Sequence, residues 1–127
     1  MTIDKTTPIL IVDDYTTMVR IIRNLLMQLG FEEVDAVHDG AGALARLEER
    51  AYGLVIADWN MEPMSGLELL RRVRADPALE SLPFIMVTTD NRPERMAAAD
   101  EAGVSDCIIK PFNAATLESR IARAIAG

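Results

Sequence analysis

The feature that most constrains the fold is a regular alternation between short apolar runs and longer amphipathic runs. Short runs rich in β-branched residues, without polar alternation, are typical of strands buried on both faces of a sheet. The predicted strands cover residues 8–12, 33–38, 53–57, 82–87 and 105–109. Because an amphipathic segment follows each of them, the pattern is a strand and a helix repeated along the chain.

The amphipathic segments carry apolar residues three or four positions apart, which is the spacing of one helix face. Helices are predicted at about residues 17–30, 40–50, 65–74, 93–102 and 114–126, and Thr16 or Thr17 is expected to cap the first. Arg71, Arg72 and Arg74 are expected on a solvent-exposed helix face. The residues expected to face the core are Met18, Ile22, Leu25, Leu29, Leu44, Leu47, Leu67, Leu70, Val73, Leu117, Ile121 and Ile125.

Alternating strands and helices predict an α/β fold in which a parallel sheet lies between two layers of helices, a three-layer sandwich. In such sheets the functional crevice lies beyond the carboxyl ends of the strands, near the switch point of the strand order. If the order is 2-1-3-4-5, the first and third strands are neighbours. Residues directly after the strands are therefore the first candidates for a functional site.

The chain has 127 residues, and one domain over residues 1–127 without an output domain is expected. Its formal net charge of −7 argues against nucleic acid as a direct partner, because phosphate neutralisation needs clustered Lys and Arg. A single cysteine, Cys107, excludes an internal disulfide and fits a reducing compartment. The polar N-terminus and the lack of a long apolar run predict a cytoplasmic protein without membrane insertion.

Charged and hydroxyl side chains occur where the predicted strands end. Asp13 and Asp14 follow the first strand, Asp58 follows the third, and Thr88 and Lys110 come at the ends of the fourth and fifth. Taken singly, an acidic pair can stabilise a helix N-terminus, and a lone Asp or Lys is commonly a solvated turn residue. Taken together, three converging carboxylates repel one another unless they share a cation, and Mg²⁺ accepts oxygen ligands of this kind.

A metal ion, an ammonium group and a hydroxyl around one carboxylate are suited to phosphoryl transfer. Asp58 would be the nucleophile and would form an aspartyl phosphate. The segments that carry these residues, ILIVDDYTTMVR, VIADWNMEPMSGLELL, LPFIMVTTD and IIKPFNAATLE, resemble the receiver domain of bacterial two-component response regulators. The resemblance spans essentially the whole chain. It implies the flavodoxin-like, or CheY-like, (βα)5 fold of single-domain response regulators, with the sheet order 2-1-3-4-5.

The resemblance also implies a role for each candidate residue. Asp58 would be phosphorylated, and Asp14 and Asp58 would bind Mg²⁺ (or Mn²⁺) directly, together with the backbone carbonyl of Asn60. Asp13 would act through a water molecule. Thr88 would hydrogen-bond the phosphoryl group and move inward on activation.

Partners follow from the same resemblance. A sensor histidine kinase would supply the phosphoryl group from a phosphohistidine. Lys110 would pair with the transferred phosphoryl group, and the peptide bond between Lys110 and Pro111 is expected to be cis. A downstream protein, with the flagellar motor switch as a candidate, would bind the face formed by the fourth helix, fifth strand and fifth helix. A monomer is expected, and a dimer through the same face is the alternative.

Two departures from the family pattern bear on this interpretation. Pro63 lies one place later than usual, so Glu62 precedes a proline, adds a carboxylate near the site and predicts an altered loop. Cys107 replaces the switch aromatic residue of the fifth strand. A small thiol cannot fill the space of a ring, which weakens the usual coupling to Thr88. The thiol is expected to be a small buried hydrophobe rather than a redox centre.

Residues beside the reactive ones are expected to modulate the site. Asn60 and Asp90 lie two positions beyond Asp58 and Thr88, and the resemblance implies that they flank the path of the attacking water and influence phosphoryl lifetime. Trp59 is expected at the pocket rim, where its fluorescence could report Mg²⁺ binding.

The predicted function is a stand-alone switch controlled by phosphorylation, with chemotaxis or motility signalling as its context. The alternative is a phosphorelay intermediate or a phosphate sink without an output partner, which the missing switch aromatic favours. A turnover phosphatase is disfavoured, because the chain is short and offers no second general acid near Asp58.

Overall fold

In a computed structural model, which describes residues 4–126, five strands alternate with five helices. The elements are β1 (Ile9–Val12), α1 (Thr16–Gln28), β2 (Val34–Val37), α2 (Gly40–Glu49), β3 (Leu54–Asp58), α3 (Gly66–Ala75), β4 (Phe84–Thr88), α4 (Pro93–Glu101), β5 (Asp106–Ile109) and α5 (Ala114–Ala126). The predicted α/β class is confirmed. Within the described residues, no helix combines the length and apolarity that a membrane crossing requires.

The strands form one parallel sheet in the order β2-β1-β3-β4-β5, as predicted. β1 lies between β2 and β3, and every residue of β1, β3 and β4 is buried, which explains their continuous apolar runs. At the carboxyl edge Asp58 pairs with Val87, and Thr88 pairs with Ile109. The register therefore brings the ends of β3, β4 and β5 to one edge of the sheet.

Two hydrophobic cores lie on opposite faces of the sheet, because successive strand residues point to opposite sides. One core joins the sheet to α2, α3 and α4, and the other joins it to α1 and α5. This arrangement confirms the predicted three-layer sandwich. It also fixes the strands from both sides, so the loops beyond their carboxyl ends extend from a rigid base.

In α1 and α5, Ile22, Leu117 and Ile121 are buried as predicted, but one further core position in each helix differs from the prediction by one residue. Ile125 is 37% exposed, and Ala124 is buried in its place. In α1, Leu26 is buried, whereas Leu25 is only partly buried. Neighbouring helix positions differ by about 100°, so apolar residues at both can compete for one face, and the fit against the sheet decides between them.

Two predictions about polar side chains are also wrong. Tyr15 occupies the N-cap position of α1 and makes no side-chain capping bond, so neither of the predicted threonines caps the helix. Arg74 is not a solvated residue: it donates to the backbone oxygens of Leu82 at 2.7 Å and Gly103 at 2.8 Å. Its guanidinium satisfies carbonyl groups that the loops around β4 would otherwise leave unpaired.

Candidate functional site

Three aspartates meet at the carboxyl edge of the sheet, and we refer to Asp13, Asp14 and Asp58 as the aspartate cluster. Asp13 and Asp14 follow β1, and Asp58 is the last residue of the neighbouring strand β3. One carboxylate oxygen from each residue lies within 4.8 Å of the other two. Asp58 thus belongs to the strand itself rather than to the loop after it, and the ladder between β3 and β4 fixes its backbone.

The carboxylate of Asp13 has an environment that suits a cation ligand. The residue is 1% exposed, and its Oδ1 accepts a hydrogen bond from the N–H of Tyr15 at 3.0 Å. Its Oδ2 is buried and has no hydrogen-bond partner among the described residues. Burial raises the pKa of Asp13. A buried oxygen without a partner is costly unless a ligand satisfies it, and the exposed Asp14 leaves one side of the cluster open. The cluster therefore fits a hard divalent cation such as Mg²⁺, which takes carboxylate oxygens and keeps several waters.

A lysine and a threonine complete the same edge. The Nζ of Lys110, directly after β5, lies 2.9 Å from the Oδ1 of Asp58. Thr88, the last residue of β4, is fully buried, and its Oγ1 accepts a hydrogen bond from the N–H of Asp90 at 3.1 Å. The peptide bond between Lys110 and Pro111 is cis. A carboxylate, a hydroxyl and an ammonium thus follow one another at the ends of the adjacent strands β3, β4 and β5.

The loop after Asp58 is held tightly against the sheet. Gly66, at the start of α3, donates to the Trp59 carbonyl at 2.9 Å, and a Cβ at position 66 would lie 2.3 Å from the backbone oxygen of Asp58. Ser65 caps α3 by accepting from the N–H of Glu68 at 3.1 Å. The Glu62–Pro63 peptide bond is cis, a feature that sequence reasoning did not anticipate when it predicted an altered loop.

Three of the predicted modulating residues, Trp59, Asn60 and Glu62, line an open cleft of about 450 Å³, whereas the fourth, Asp90, does not line it and pairs with Arg95. Asn60 and Glu62 are exposed and line this cleft together with Asp14. Trp59 is mostly buried, and its ring faces the guanidinium of Arg95 at 4.4 Å from the ring centroid. Trp59 therefore belongs both to the core and to the wall of the cleft.

Arg95 contacts three of the predicted modulating residues, and the sequence analysis did not identify it. Its Nη1 donates to Asn60 Oδ1 at 3.3 Å, and its Nε lies 3.5 Å from Asp90. Asp90 also binds Arg92, whose hydrogen bonds lower the pKa of Asp90 to about 2. The missed signal was the placement of two arginines around the first turn of α4, where the helix dipole disfavours cations. Such a placement indicates that nearby acidic or aromatic groups compensate.

Cys107 lies away from the aspartate cluster, on the face formed by α4, β5 and α5. The thiol was predicted to be buried; it is half-buried and packs against one hydrophobic core, and burial raises its pKa to about 11. It borders a shallow cleft of about 390 Å³ whose charged groups include Asp106 and Arg120, which are paired at 3.1 Å. This face therefore presents a small thiol and an ion pair in place of a large ring.

The chain is similar in sequence to one protein family and to individual members of it. The chain matches the response regulator receiver domain over residues 9–122. It is 44% identical over 119 residues to chemotaxis protein CheY-3 of Vibrio cholerae serotype O1, covering 94% of this chain and 92% of that protein. It is 45% identical over 113 residues to chemotaxis protein CheY of Pseudomonas aeruginosa, covering 89% and 91%.

A solved structure gives a further comparison for the site. The receiver domain of a sensor histidine kinase from Pseudomonas aeruginosa PAO1 superposes with a TM-score of 0.86 and 27% identity, covering 96% of this chain and 99% of that one. That structure holds a magnesium ion coordinated in its active site cleft.

Proposed function

The chain belongs to the response regulator receiver domain family, and we propose that it is a phosphorylation-controlled switch whose phosphoacceptor is Asp58. The observation that carries the proposal is the convergence of Asp58 with Asp13, Asp14 and Lys110 at one edge of the sheet. The phosphodonor is a phosphohistidine of a sensor histidine kinase. Chemotaxis or motility is the proposed context, since the chemotaxis proteins it resembles match it over nearly their full length.

In the proposed reaction, an Oδ atom of Asp58 forms a bond to phosphorus while the bond between phosphorus and the donor imidazole breaks. The imidazole keeps the electron pair of that bond. Asp13, Asp14 and Asp58 would hold Mg²⁺ or Mn²⁺ with the backbone carbonyl of Asn60, Asp13 acting through a water. The bound cation would offset negative charge on the phosphoryl oxygens.

The protein's own groups supply the rest of the site. The β3–β4 ladder holds the Asp58 backbone in place, so little reorganisation is needed when the donor arrives. The ammonium of Lys110, already 2.9 Å from Asp58, would pair with a phosphoryl oxygen. The buried hydroxyl of Thr88 would donate to the phosphoryl group.

The proposed output is altered binding to a downstream protein on the face of α4, β5 and α5, with the flagellar motor switch as the candidate. A two-state equilibrium shifted by phosphorylation accounts for such an output without turnover chemistry. We further propose that residues 1–127 form a cytoplasmic, monomeric receiver domain that is not a turnover enzyme. Residues 1–3 and 127 of that domain lie outside the described part of the chain.

A second candidate function is a phosphorelay intermediate or phosphate sink. The observation that favours it is Cys107, a half-buried thiol at the position where the family has a switch aromatic. Without a ring to reorient, the phosphoryl group would have less effect on the output face. Phosphotransfer to Asp58 is common to both candidates.

Phosphorylation itself is tested by incubating the protein with acetyl phosphate and Mg²⁺ and measuring its intact mass. One added phosphoryl group is expected in the wild type and in Asp100→Asn, which removes an exposed acid of α4 outside the aspartate cluster, and none is expected in Asp58→Asn. Equal modification of Asp58→Asn would refute the assignment.

The two candidate functions are separated by binding and by reverse transfer. Beryllofluoride should increase binding to the flagellar motor switch protein if the chain is a switch. Equal affinity with and without beryllofluoride, together with rapid return of the phosphoryl group to the kinase, would identify a relay or sink, because a ligand shifts an equilibrium only by differential affinity.

A further inference from the structure

Two arginines at the start of α4, the N-cap residue Arg92 and Arg95, share one acidic partner but differ in what else they contact. Arg92 grips both carboxylate oxygens of Asp90, with distances of 3.0 Å from Nε to Oδ1 and 2.6 Å from Nη2 to Oδ2. Arg95 lies 3.5 Å from the same carboxylate. The side chain of Arg92 is 65% exposed and that of Arg95 is 22% exposed. Arg92 therefore neutralises Asp90 at the surface, and Arg95 is free to make other contacts.

Those other contacts are with the loop that follows the phosphoacceptor strand. The guanidinium of Arg95 stacks on the Trp59 ring, 4.4 Å from its centroid, and donates to Asn60 Oδ1 at 3.3 Å. A planar cation can do both at once, because its face meets an aromatic ring while its edge donates hydrogen bonds. We call this arrangement of Arg95 with Trp59, Asn60 and Asp90 the Arg95 clamp.

The clamp joins the two loops that carry the reactive groups. Trp59 follows Asp58 directly, so the β3–α3 loop cannot move at Trp59 without disturbing the phosphoacceptor. On the other loop, the N–H of Asp90 donates to the hydroxyl oxygen of Thr88 at 3.1 Å. The clamp also forms one wall of the open cleft of about 450 Å³ beside Asp14. The contacts of the clamp therefore affect both the geometry of the site and the access of water to it.

We propose that Arg95 is a positioning residue that holds the β3–α3 and β4–α4 loops together over the site and thereby slows hydrolysis of a phosphoryl group on Asp58. The inference rests on the proposed function. In that hydrolysis a water oxygen bonds to phosphorus, the bond between phosphorus and the Asp58 oxygen breaks, and the electron pair returns to the carboxylate. The water releases one proton, and the product is inorganic phosphate. Arg95 acts through Trp59, Asn60 and Asp90 and transfers no proton.

The first test needs no phosphorylation. Trp59 is the single tryptophan of the chain, so quenching of tryptophan fluorescence by acrylamide reports on its exposure alone. Arg95→Ala is expected to increase the quenching constant, and Arg92→Ala, the matched control, is expected to leave it unchanged. An unchanged constant in Arg95→Ala, or an equal rise in both variants, overturns the clamp whether or not Asp58 accepts phosphate.

The second test measures loss of the phosphoryl group. Wild type, Arg95→Ala and Arg92→Ala are phosphorylated with acetyl phosphate and Mg²⁺, desalted, and followed by intact mass. We expect Arg95→Ala to lose the group about three- to tenfold faster than the wild type, as the strength of one stacked and paired cation implies. Arg92→Ala should stay within about twofold. If the wild type is labelled and all three proteins lose the phosphoryl group at equal rates, the inference is overturned and the proposed function stands. If the wild type takes up no label, the proposed function itself is refuted.

A charge-preserving variant separates position from charge. Arg95→Lys keeps the cation but lacks the planar fork that stacks and donates together. It is expected to lose the phosphoryl group at a rate closer to Arg95→Ala than to the wild type, with a midpoint of thermal unfolding like that of the wild type. Full restoration of the wild-type rate by lysine would show that net charge alone matters and would overturn the positioning role.

Discussion

The ammonium of Lys110 lies 2.9 Å from the Oδ1 of Asp58, although 52 positions separate the two residues in the chain. Both side chains are largely buried at the carboxyl edge of the sheet. The lysine therefore neutralises part of the charge that three clustered carboxylates place there, and it would compete with a bound Mg²⁺ if the ion took the same oxygen of Asp58.

Lys110→Met is expected to raise the affinity for Mg²⁺ about three- to tenfold while slowing phosphoryl uptake from acetyl phosphate at saturating Mg²⁺ by about tenfold or more. The affinity rises because a competing cation is removed, and uptake slows because no ammonium remains to pair with the phosphoryl group. Calorimetric titration and intact mass measure the two effects.

Lys5→Met is the matched control, since it removes the same charge from a residue that packs on Phe31, outside the aspartate cluster. It should change neither quantity by more than about twofold. Weaker Mg²⁺ binding in Lys110→Met would contradict the competition.

Gly66→Ala is expected to lower the free energy of unfolding by about 2 kcal/mol or more. A Cβ there would lie 2.3 Å from the Asp58 backbone oxygen, and backbone cannot yield as a flexible side chain can. Ser65→Ala in the same turn removes only a capping bond and should cost about 1 kcal/mol. Urea denaturation measures both, and a Gly66→Ala protein as stable as the wild type would show that α3 is not packed so closely on Asp58.

Cys107 is expected to react slowly with iodoacetamide at pH 8, about tenfold or more slower in the folded protein than in urea. The thiolate is the reactive form, and burial raises the pKa of the Cys107 thiol from 9.0 to about 11. Equal reaction rates in the folded and unfolded protein would contradict this.

The same shift gives stability a pH dependence. Between pH 9.0 and about 11 the unfolded chain releases the thiol proton first, so stability contributed by Cys107 is present below pH 9.0 and is lost as pH rises towards 11. The free energy of unfolding should fall more steeply over this range in the wild type than in Cys107→Ala, and parallel profiles would count against the shift.

The carboxyl group of Asp90 is expected to stay ionised at pH values below the ordinary pKa of an aspartate. Hydrogen bonds from Arg92 lower its pKa from 3.8 to about 2, so stability contributed by Asp90 is present above pH 3.8 and is lost as pH falls towards 2. Its carboxyl carbon resonance should show no inflection near pH 3.8. The inflection near pH 3.8 should reappear in Arg92→Ala. The pKa of Asp90 should rise less in Arg95→Ala, because the native Arg95 approaches only one carboxylate oxygen, at 3.5 Å. An inflection near pH 3.8 in the wild type would contradict the pairing.

The sheet and the aspartate cluster were predictable because both depend on features that are local in sequence. A continuous β-branched apolar run such as β3 is typical of a strand in the middle of a covered sheet, and the end of that run locates Asp58 to within one residue. Parallel strands then bring their carboxyl ends to one edge, which places Asp13 and Lys110 beside it whatever the loops do.

Details that depend on packing between distant segments were not predictable. Ala124 rather than Ile125 faces the core because the two lie on overlapping parts of a helix surface and only the fit against the sheet distinguishes them. Arg74 looked solvated because its partners are backbone oxygens at Leu82 and Gly103, and carbonyl groups leave no trace in a residue pattern.

The order of elements, the parallel sheet and the acids at its edge follow from the amino-acid sequence, because periodicity and strand ends are features of neighbouring residues. The surroundings of Asp58 follow from the packed fold: which oxygen Lys110 contacts, how closely Gly66 approaches, and that Arg95 of α4 reaches Trp59 and Asn60. Side-chain contacts across 35 to 52 positions depend on how helices and loops pack, and that packing is a property of the whole fold.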